Sequence, residues 1–294
     1  MLFSIIIPTY NRAHLIEKTI ESVLNQTYSN FEVIIIDNYS TDDTLEVLKK
    51  YSHDMRFKVI ASDKNYERSR SRNVGMNNAK GNYLTFLDSD DLMQPTCLND
   101  AYEFAIKNQE VEIFHNKYQF CYHNNEIINT FQDKPNHNKP LNAILKGNFL
   151  ACIGVFINER LYKNHKFLED VAIIGSEDWL FWIQIISDTK KLGFINKVNS
   201  FIVEHSERTE NNRNPFEFEK QILFLKNIVI NQIKLNKIEI KLFELSTNFL
   251  IANDYCDFGE KKIAFKKLKE LLKKYPSYFF NIKILNLIKN ILLK

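Results

Sequence analysis

Short apolar runs alternate with amphipathic segments through the first hundred residues of the chain. Four runs have the length and composition of buried strands: 3–7, 31–36, 57–61 and 83–87. Three segments between them repeat apolar residues at helical spacing: 13–25, 41–51 and 68–80. Gly81 follows the third segment, and we predict that it ends this helix as a C′ glycine. Repeated strand–helix–strand units predict right-handed crossovers and a parallel sheet.

The pattern becomes less regular after residue 95 and changes again near residue 215. The middle of the chain predicts a helix, a hairpin, a second helix and a strand, at 96–107, 114–130, 180–186 and 201–204. The polar stretch 132–140 predicts a loop without regular structure. Leu, Ile, Phe and Lys then dominate at helical spacing and predict four helices: 216–234, 237–254, 260–274 and 278–292. We therefore predict an α/β domain over 1–210 and an α-helical region over 211–294.

Polar clusters follow three of the predicted strands, at 9–12, 37–38 and 88–91. Open α/β sheets bind ligands beyond the carboxyl ends of their strands, so the fold brings these clusters together. Asp88 and Asp90 lie two residues apart, and a bound cation would stabilise two like charges held so close. A polar turn that caps the next helix is the alternative for this cluster.

The composition is that of an ordinary globular protein. The 294 residues are 45% hydrophobic, and a net charge of +3 predicts no nucleic-acid partner. Residues 1–8 lack the basic region of a signal peptide, and the longest apolar stretch, 149–157, is too short to span a membrane. We therefore expect a cytoplasmic protein. Four widely spaced cysteines without a CxxC pair argue against a zinc site or a disulfide framework: Cys97, Cys121, Cys152 and Cys256.

An ordered set of motifs lies between residues 4 and 91. The motifs are SIIIPTYNR at 4–12, SVLNQTY at 22–28, FEVIIID at 31–37, NYSTDDT at 38–44, SRNxG at 71–75, AKGxY at 79–83 and FLDSDD at 86–91. Together they resemble the family 2 glycosyltransferases, inverting enzymes of bacterial surface-polysaccharide synthesis. The resemblance implies the GT-A fold, which is Rossmann-like with a mostly parallel sheet flanked by helices. It covers most of 3–95, weakens through 96–205 and ends near 210, so the C-terminal helices are an appendage to it.

The chain departs from the family pattern at two places in the expected donor site. Asn38 and Tyr39 stand where the family commonly has Asp and Gly, so the nucleotide pocket is expected to differ there. Arg68 and Arg70 occupy a segment that the family usually fills with small residues, and they add positive charge near the expected diphosphate.

The resemblance implies an enzyme that uses Mn²⁺ or Mg²⁺. Asp90 is then the direct metal ligand, Asp88 lies near the ribose or the metal, and His205 is a further ligand. The cation would stabilise the charge that develops on the departing nucleoside diphosphate. A surface histidine in a loop is the alternative for His205.

A sugar nucleotide presents a base, a ribose and a diphosphate to the protein. A carboxylate at Asp37 can accept the imide N–H of uracil, which favours a UDP-sugar. Two alternatives stay open: Arg12 as a solvated residue at a helix start, and Arg72 as an ion pair that holds a loop. The donor-binding residues that the resemblance implies are Pro8, Thr9, Tyr10, Asn11, Arg12, Asp37, Asn38, Arg72, Asp88, Ser89 and Arg208.

Inversion requires a base that takes the proton of the acceptor hydroxyl while its oxygen attacks opposite the nucleotide. Glu177 and Asp178, adjacent acids before an apolar helix, resemble the family's Glu-Asp motif, and we predict that Asp178 is the base. Asp91 is placed by the resemblance near the sugar or a metal-bound water. Helix capping is the alternative for all three carboxylates.

Residues 261–294 carry ten lysines and one acid, Glu270, among regularly spaced apolar residues. An anionic membrane surface attracts each nearby lysine by about 1 kcal/mol, so this segment is a candidate for peripheral membrane contact. The alternative is a solvated face on a packed helical bundle. The sequence leaves open whether the chain forms a homodimer.

These observations favour an inverting, metal-dependent hexosyl- or N-acetylhexosaminyltransferase. Its donor would be a UDP-sugar, and its acceptor a glycan or lipid-linked oligosaccharide of capsule or lipopolysaccharide synthesis. A sugar-phosphate nucleotidyltransferase would need a Gly-rich basic loop after the first strand, which 8–11 is not. A degenerate, non-catalytic scaffold is the remaining alternative, and Asn38 and Tyr39 give it some support.

Overall fold

The structure is a computed structural model that describes residues 1–122, 126–129, 136–205 and 214–293. The strands of these residues are β1 Phe3–Thr9, β2 Phe31–Asp37, β3 Phe57–Ala61, β4 Tyr83–Phe86, β5 Leu92–Met93, β6 Ile113–Cys121, β7 Ile127–Asn129, β8 Val155–Asn158 and β9 Gly193–Val203. The α-helices are α1 Ile16–Leu24, α2 Thr44–Lys49, α3 Arg68–Asn78, α4 Cys97–Lys107, α5 Pro140–Leu145, α6 Glu159–Asn164, α7 Glu177–Thr189, α8 Pro215–Gln232, α9 Lys237–Asp257, α10 Lys261–Lys274 and α11 Ile282–Leu293.

The strands form one mixed sheet in the order β3-β2-β1-β4-β8-β6-β9-β5, and β7 pairs with β6. The first four strands are parallel, as the sequence predicts, and place Thr9 of β1 opposite Asp37 of β2. Beyond β4 the sheet contains antiparallel β8, β7 and β5, together with a parallel pair of β6 and β9. The predicted hairpin of β6 and β7 is confirmed. The parallel half therefore carries the polar clusters to one edge.

Both faces of β1, β2 and β4 are buried, which explains their continuous apolar runs, whereas β3 is a partly exposed edge strand. Successive residues of a strand point to opposite faces. Ile5 and Ile7 of β1 accordingly pack in one hydrophobic cluster with α1 and α4, whereas Ile6 packs in the other. That second cluster continues through α7 into the C-terminal helices. The ring of Trp179 lies 5.6 Å, centroid to centroid, from that of Phe243 on α9.

The four C-terminal helices were predicted correctly in number and order. Helix α9 contacts α8, α10 and α11, and it also contacts α5 of the α/β part. The helical region thus packs directly against the α/β part. No helix of the described residues is both long enough and apolar enough to cross a membrane. The division of the chain at residue 210 stays a prediction.

The prediction for Gly81 was wrong. Helix α3 ends at Asn78, its C-cap Ala79 is extended, and Gly81 does not adopt the left-handed backbone of a C′ glycine. Instead, a Cβ at Gly81 would lie 2.6 Å from the backbone nitrogen of Ser4. A glycine stands here because the chain passes against β1, so it serves packing rather than helix termination.

Several short elements were missed or misplaced. Pro140 begins α5, so the end of the predicted loop 132–140 is helical, while 132–135 lies outside the described residues. A six-residue helix with Pro at its start shows too little periodicity to be recognised. Strand β9 begins at Gly193, eight residues before the predicted 201, because its polar residues hide the pattern. Strands β5 and β8 and helix α6 were not predicted, and α2 is shorter than the predicted 41–51.

Candidate active site

Two tight loops at the ends of β1 and β2 are tied together by side chains. The backbone N–H of Asn11 donates to Ser40 Oγ at 2.9 Å, and Asn11 Oδ1 accepts from the N–H of Thr41 at 2.8 Å. Asn11 and Tyr39 both have positive φ, +51° and +69°. Because this conformation favours glycine, Tyr39 is a strained replacement for the family's usual Gly. Its ring is half exposed at this edge.

Asp37 lies fully buried where these loops meet. Its Oδ2 accepts the N–H of Ser40 at 3.0 Å. Within the described residues, Asp37 Oδ1 and the buried hydroxyl of Thr9 have no hydrogen-bond partner. Buried polar atoms in native proteins are usually paired. These two atoms are therefore candidates for hydrogen bonds to a ligand.

The departure at Asn38 has a structural reason. Its side-chain amide donates to Asn65 Oδ1 at 2.8 Å and to the carbonyl of Tyr66, and its oxygen accepts the N–H of Tyr66 at 2.9 Å. An aspartate could not donate to the two oxygens. Asn38 therefore fastens the loop before α3 to the edge that carries Asp37.

A cavity of about 440 Å³ opens beside these loops, between the end of β4 and the start of α7. All five predicted catalytic and metal-binding carboxylates line it, together with two predicted arginines. The predicted residues that face this cavity are Arg12, Arg72, Asp88, Asp90, Asp91, Glu177 and Asp178. Pro8, Thr9, Tyr10, Asn11, Asp37, Asn38 and Ser89 lie at the neighbouring strand ends and are not part of its lining.

The carboxylates of 88–91 have separate partners. Asp90 Oδ2 lies 2.9 Å from His205 Nε2 and 3.8 Å from Arg12 Nε. Asp91 is buried, and its Oδ1 accepts the N–H of Val203 at 3.0 Å, which ties the end of β4 to β9. The capping alternative for this cluster is wrong because Thr96 is the N-cap of α4. Arg208 lies outside the described residues.

Buried Arg72 joins the two acidic motifs. Its Nη2 lies 2.9 Å from Asp88 Oδ1, and its Nη1 lies 3.3 Å from Glu177 Oε1. Arg68 Nε adds a second contact to Glu177 Oε1 at 3.1 Å, and the N–H of Gly175 donates to Glu177 Oε2 at 2.6 Å. Arg72 therefore makes ion pairs, as expected from the alternative in which it holds a loop in place. These contacts occupy both carboxylate oxygens of Glu177 and hold the start of α7 in place.

Asp178 differs from Glu177 in its surroundings. Asn148 Nδ2 donates to its Oδ2 at 2.9 Å, and the N–H of Trp179 donates to its Oδ1 at 2.7 Å. Burial, followed by the negative charge of Glu177, raises the pKa of Asp178 to about 7. A carboxylate with such a pKa is suited to accept a proton near neutral pH. The contact with Trp179 also satisfies an amide in the first turn of α7, so the capping alternative describes part of its role.

The sequence did not reveal Asn214, Glu217 or Gln221 as cavity residues, nor Asn148 as the partner of Asp178. Asn148 donates to Asp178 from a loop, and the other three line the cavity from the start of α8. A polar stripe on a helix is ordinarily solvated, so no sequence signal marked these residues.

Asp90 and His205 are the described residues best suited to hold a metal ion. Carboxylate oxygen and imidazole nitrogen are both ligands that Mn²⁺ accepts. Among the described residues, no three His, Cys, Asp or Glu side chains converge, since Asp88 is paired with Arg72. Catalytic Mg²⁺ sites commonly combine one or two carboxylates with substrate phosphates, so this pair fits a cation shared with a diphosphate.

The fold and the cavity are those expected of a nucleotide-sugar-binding α/β protein. The family model described as glycosyl transferase family 2 matches residues 4–160, more than half of the chain. The chain belongs to this family.

Similar proteins include bacterial glycosyltransferases with named substrates. The chain is 32% identical over 265 residues to the Escherichia coli UDP-Glc:alpha-D-GlcNAc-diphosphoundecaprenol beta-1,3-glucosyltransferase WfaP, covering 90% of this chain and 99% of that protein. It is 30% identical over 97% of its length to an uncharacterized glycosyltransferase of Rickettsia conorii. The chain spans only 47% of that relative, about half of its length.

Two solved structures share the fold. Staphylococcus aureus TarS 1–349 in complex with UDP superposes with a TM-score of 0.69 at 21% identity, covering 99% of this chain and 88% of that chain. Mannosyltransferase PcManGT from Pyrobaculum calidifontis, in complex with GDP-Man and Mn²⁺, gives a TM-score of 0.63 at 16% identity, covering 99% and 86%. The GT-A fold and the C-terminal helices predicted from the sequence are thereby confirmed.

Proposed function

We propose that this protein transfers a sugar, with inversion, from a UDP-sugar to a saccharide hydroxyl during surface-glycan synthesis. The single observation that carries the proposal is Asp178, whose pKa is raised to about 7 and which faces the same cavity as Asp88 and Asp90. Acceptors of the class that WfaP uses, a saccharide on a diphospho-lipid, are the first candidates.

The donor proposal rests on Asp37. Its buried, unpartnered Oδ1 can accept the imide N–H of uracil, and the Thr9 hydroxyl beside it can bind another polar atom of the nucleotide. The rigid pairing of the two loops through Asn11 and Ser40 keeps this pocket formed without ligand. Cytosine carries an acceptor at N3 in place of this N–H, so Asp37 favours uracil over cytosine.

The metal proposal rests on Asp90 and His205, 2.9 Å apart. A bound Mn²⁺ or Mg²⁺ would act as a Lewis acid that stabilises the departing diphosphate. Arg12, which contacts Asp90, and Arg68, which lines the cavity, add positive charge for the same group.

In the proposed mechanism Asp178 takes the proton of the acceptor hydroxyl as its oxygen attacks the anomeric carbon from the side opposite the nucleotide. Asn148 and the N–H of Trp179 orient the carboxylate. Glu177 positions the same turn of α7 through Arg68, Arg72 and Gly175. The bond to the nucleotide breaks as the new glycosidic bond forms, and the proton stays on Asp178 until solvent removes it.

A membrane contact through 261–293 is also part of the proposal, but some of the residues that the sequence pattern suggested cannot take part in it. The apolar positions Leu268 and Leu271 are buried in the helical core, so they are not available to lipid. Lys267 and Lys274 are paired with Glu219 and Glu244. Exposed apolar side chains remain around the turn between α10 and α11, where Lys273 and Lys283 are also exposed, and they support the contact: Phe279, Phe280, Ile282 and Leu285.

The transferase proposal is tested by incubating the purified protein with Mn²⁺, a set of UDP-sugars and synthetic GlcNAc-diphospho-lipid, and measuring product and free UDP. We expect one UDP-sugar to give an inverted glycoside and to raise the thermal unfolding midpoint, because a bound ligand stabilises the folded state by mass action. No UDP binding and no transfer from any donor would contradict the proposal and leave the scaffold alternative.

A further inference from the structure

The start of helix α8, in the C-terminal region, forms one wall of the active-site cavity. Asn214, Glu217, Phe218 and Gln221 all line it. Their spacing of i, i+3, i+4 and i+7 places them on one stripe of the helix. The stripe is therefore a continuous surface turned towards the cavity.

Helix α8 is held from its other side. Glu219 accepts hydrogen bonds from Tyr255 Oη on α9, at 2.7 Å, and from Lys267 Nζ on α10. Ile222 and Leu225 are buried in the shared core. The N-cap is also closed, because Asn214 Oδ1 accepts the N–H of Phe216 at 2.9 Å. The cavity stripe is thus carried by a fixed helix.

The stripe lies beside the elements that hold the proposed base. Helix α8 contacts α7 and the short turn Val171–Ile173 that precedes it. Gly175, two residues before Glu177, has φ of +92°, and a Cβ placed there would be 3.6 Å from Gln221 Oε1. The proposed donor residues come instead from the ends of β1, β2 and β4.

The polar groups of the stripe are suited to a saccharide. Gln221 is half-buried, and its amide makes no hydrogen bond within the residues that the structure describes. Glu217 contacts Lys220 at 2.8 Å on the exposed surface, which leaves further acceptor capacity on its carboxylate. A carboxylate that accepts and an amide that both donates and accepts complement vicinal hydroxyl groups.

We propose that Glu217 and Gln221 form an acceptor subsite that binds hydroxyls of the saccharide to be extended. The inference rests on the proposed function, since it names the substrate that meets Asp178 from the side of α8. It assigns to the C-terminal region a direct part in acceptor choice, separate from donor binding at the strand ends.

The test measures steady-state transfer and UDP affinity for Gln221→Ala and Glu217→Gln. The acceptor is whichever of a panel of GlcNAc-diphospho-lipids and simple GlcNAc and glucose glycosides the wild type extends best. Each variant should raise the acceptor KM about tenfold, the loss of one good hydrogen bond. Calorimetric affinity for UDP and the slow hydrolysis of donor without acceptor should not change. Asn227→Ala, on the same helix but outside the cavity, should match the wild type.

An unchanged acceptor KM in both variants overturns the proposal. A weakened UDP affinity in either variant also overturns it, because the stripe would then belong to the donor site. A wild type that binds UDP but extends no acceptor of the panel counts against a saccharide subsite here. A wild type that does not bind UDP removes the proposed function itself. Thermal unfolding of each variant separates a local effect from loss of the fold.

Discussion

The two sides of the cavity are built from different kinds of chain segment. The strand-end side uses residues from the motifs that follow β1 and β4, such as Arg12 and Asp90, and Asp37 at the end of β2 lies beside it. The opposite side brings together Asp178 from α7, its hydrogen-bond partner Asn148 from a loop, and Gln221 from α8, across more than seventy residues of sequence. The proposed nucleotide side is therefore encoded in local motifs, whereas the proposed acceptor side depends on how distant elements pack. Variants on each side of the cavity test this division.

The largest effect is expected at the proposed base. Asp178→Asn keeps the shape and an oxygen for the N–H of Trp179, yet it should lower kcat about 10²–10⁴-fold, the usual contribution of base catalysis. UDP affinity should stay near the wild-type value. Turnover and calorimetry on the same preparations check both.

Glu177→Gln is the matched control for that variant, since it lies one residue away and retains a polar side chain for Arg72. A milder loss of kcat is expected. If Glu177→Gln were inactive and Asp178→Asn active, the two roles would be exchanged. Near-normal turnover in both would place the base elsewhere.

The strand-end side is tested most strongly at Asp90. Asp90→Ala should lower kcat about 10²–10³-fold, as removal of an electrostatic stabiliser does elsewhere. Excess EDTA should have a similar effect on the wild type, and added Mn²⁺ should reverse it. Asp188→Ala, an exposed carboxylate paired with Arg160, is the control. Full activity of Asp90→Ala, or of the wild type in EDTA, would refute the metal proposal.

The pH dependence of kcat tests the proposed base on α7 separately from the residues at the strand ends. The base acts only when deprotonated, so with a pKa of about 7 for Asp178 the kcat should rise about tenfold per pH unit below 7 and level off above it. The residual kcat of Asp178→Asn should no longer fall as the pH is lowered below 7. An acid limb near pH 4 would show that burial does not raise this pKa in solution.

Base recognition should depend on Asp37. Asp37→Asn can still accept from Ser40 but turns an amide N–H towards the base, so UDP affinity should fall about 10–100-fold, the range for a hydrogen bond to a charged group. Wild type should bind UDP more tightly than GDP or CMP. Asp42→Asn, in the same loop region, is the control. If GDP binds more tightly than UDP, Tyr39 is the next residue to examine.

The smallest effect is expected at the membrane. Changing Phe279 and Phe280 to Ser, or Lys283 to Gln, should weaken sedimentation with anionic liposomes several-fold, since one lysine near the surface contributes about 1 kcal/mol. Substitutions are preferable to a deletion of 261–294, which would remove α10 and uncover the apolar surface of α9 that it covers. Raised salt should act in the same direction. Unchanged binding, or none by the wild type, would leave the lysines as an ordinary solvated face.

The sequence predicted the parallel half of the sheet and the strand-end clusters because both follow from local patterns. Apolar runs ended by polar residues show where each strand stops, and parallel pairing brings those ends together. Asn38 illustrates the limit. Its departure from the family pattern suggested loss of function, whereas its hydrogen bonds to Asn65 and Tyr66 show a role that only the folded loop reveals.

The other side could not be predicted for physical reasons. Strand β8 and helix α6 are too short to show a period, and Asn196, Lys197 and Asn199 interrupt the apolar pattern of β9. Gln221 is indistinguishable in sequence from a solvated helix residue, and only the packing of α8 on α7 turns it inward. The choice of Asp178 as the base came from its resemblance to the family's Glu-Asp motif before an apolar helix and stays a prediction, whereas nothing in the sequence indicated its hydrogen-bond partner Asn148.

Through Glu219, helices α8, α9 and α10 form one structural unit. Because this residue links α8 to both Tyr255 on α9 and Lys267 on α10, the wall of the cavity is coupled to helices that never approach it. A chimera that exchanged only α8 with a relative would lose these partners, whereas one that exchanged 215–293 together would preserve them. Recombination between relatives could thus change the surface offered to an incoming glycan in one event, without altering any strand-end motif.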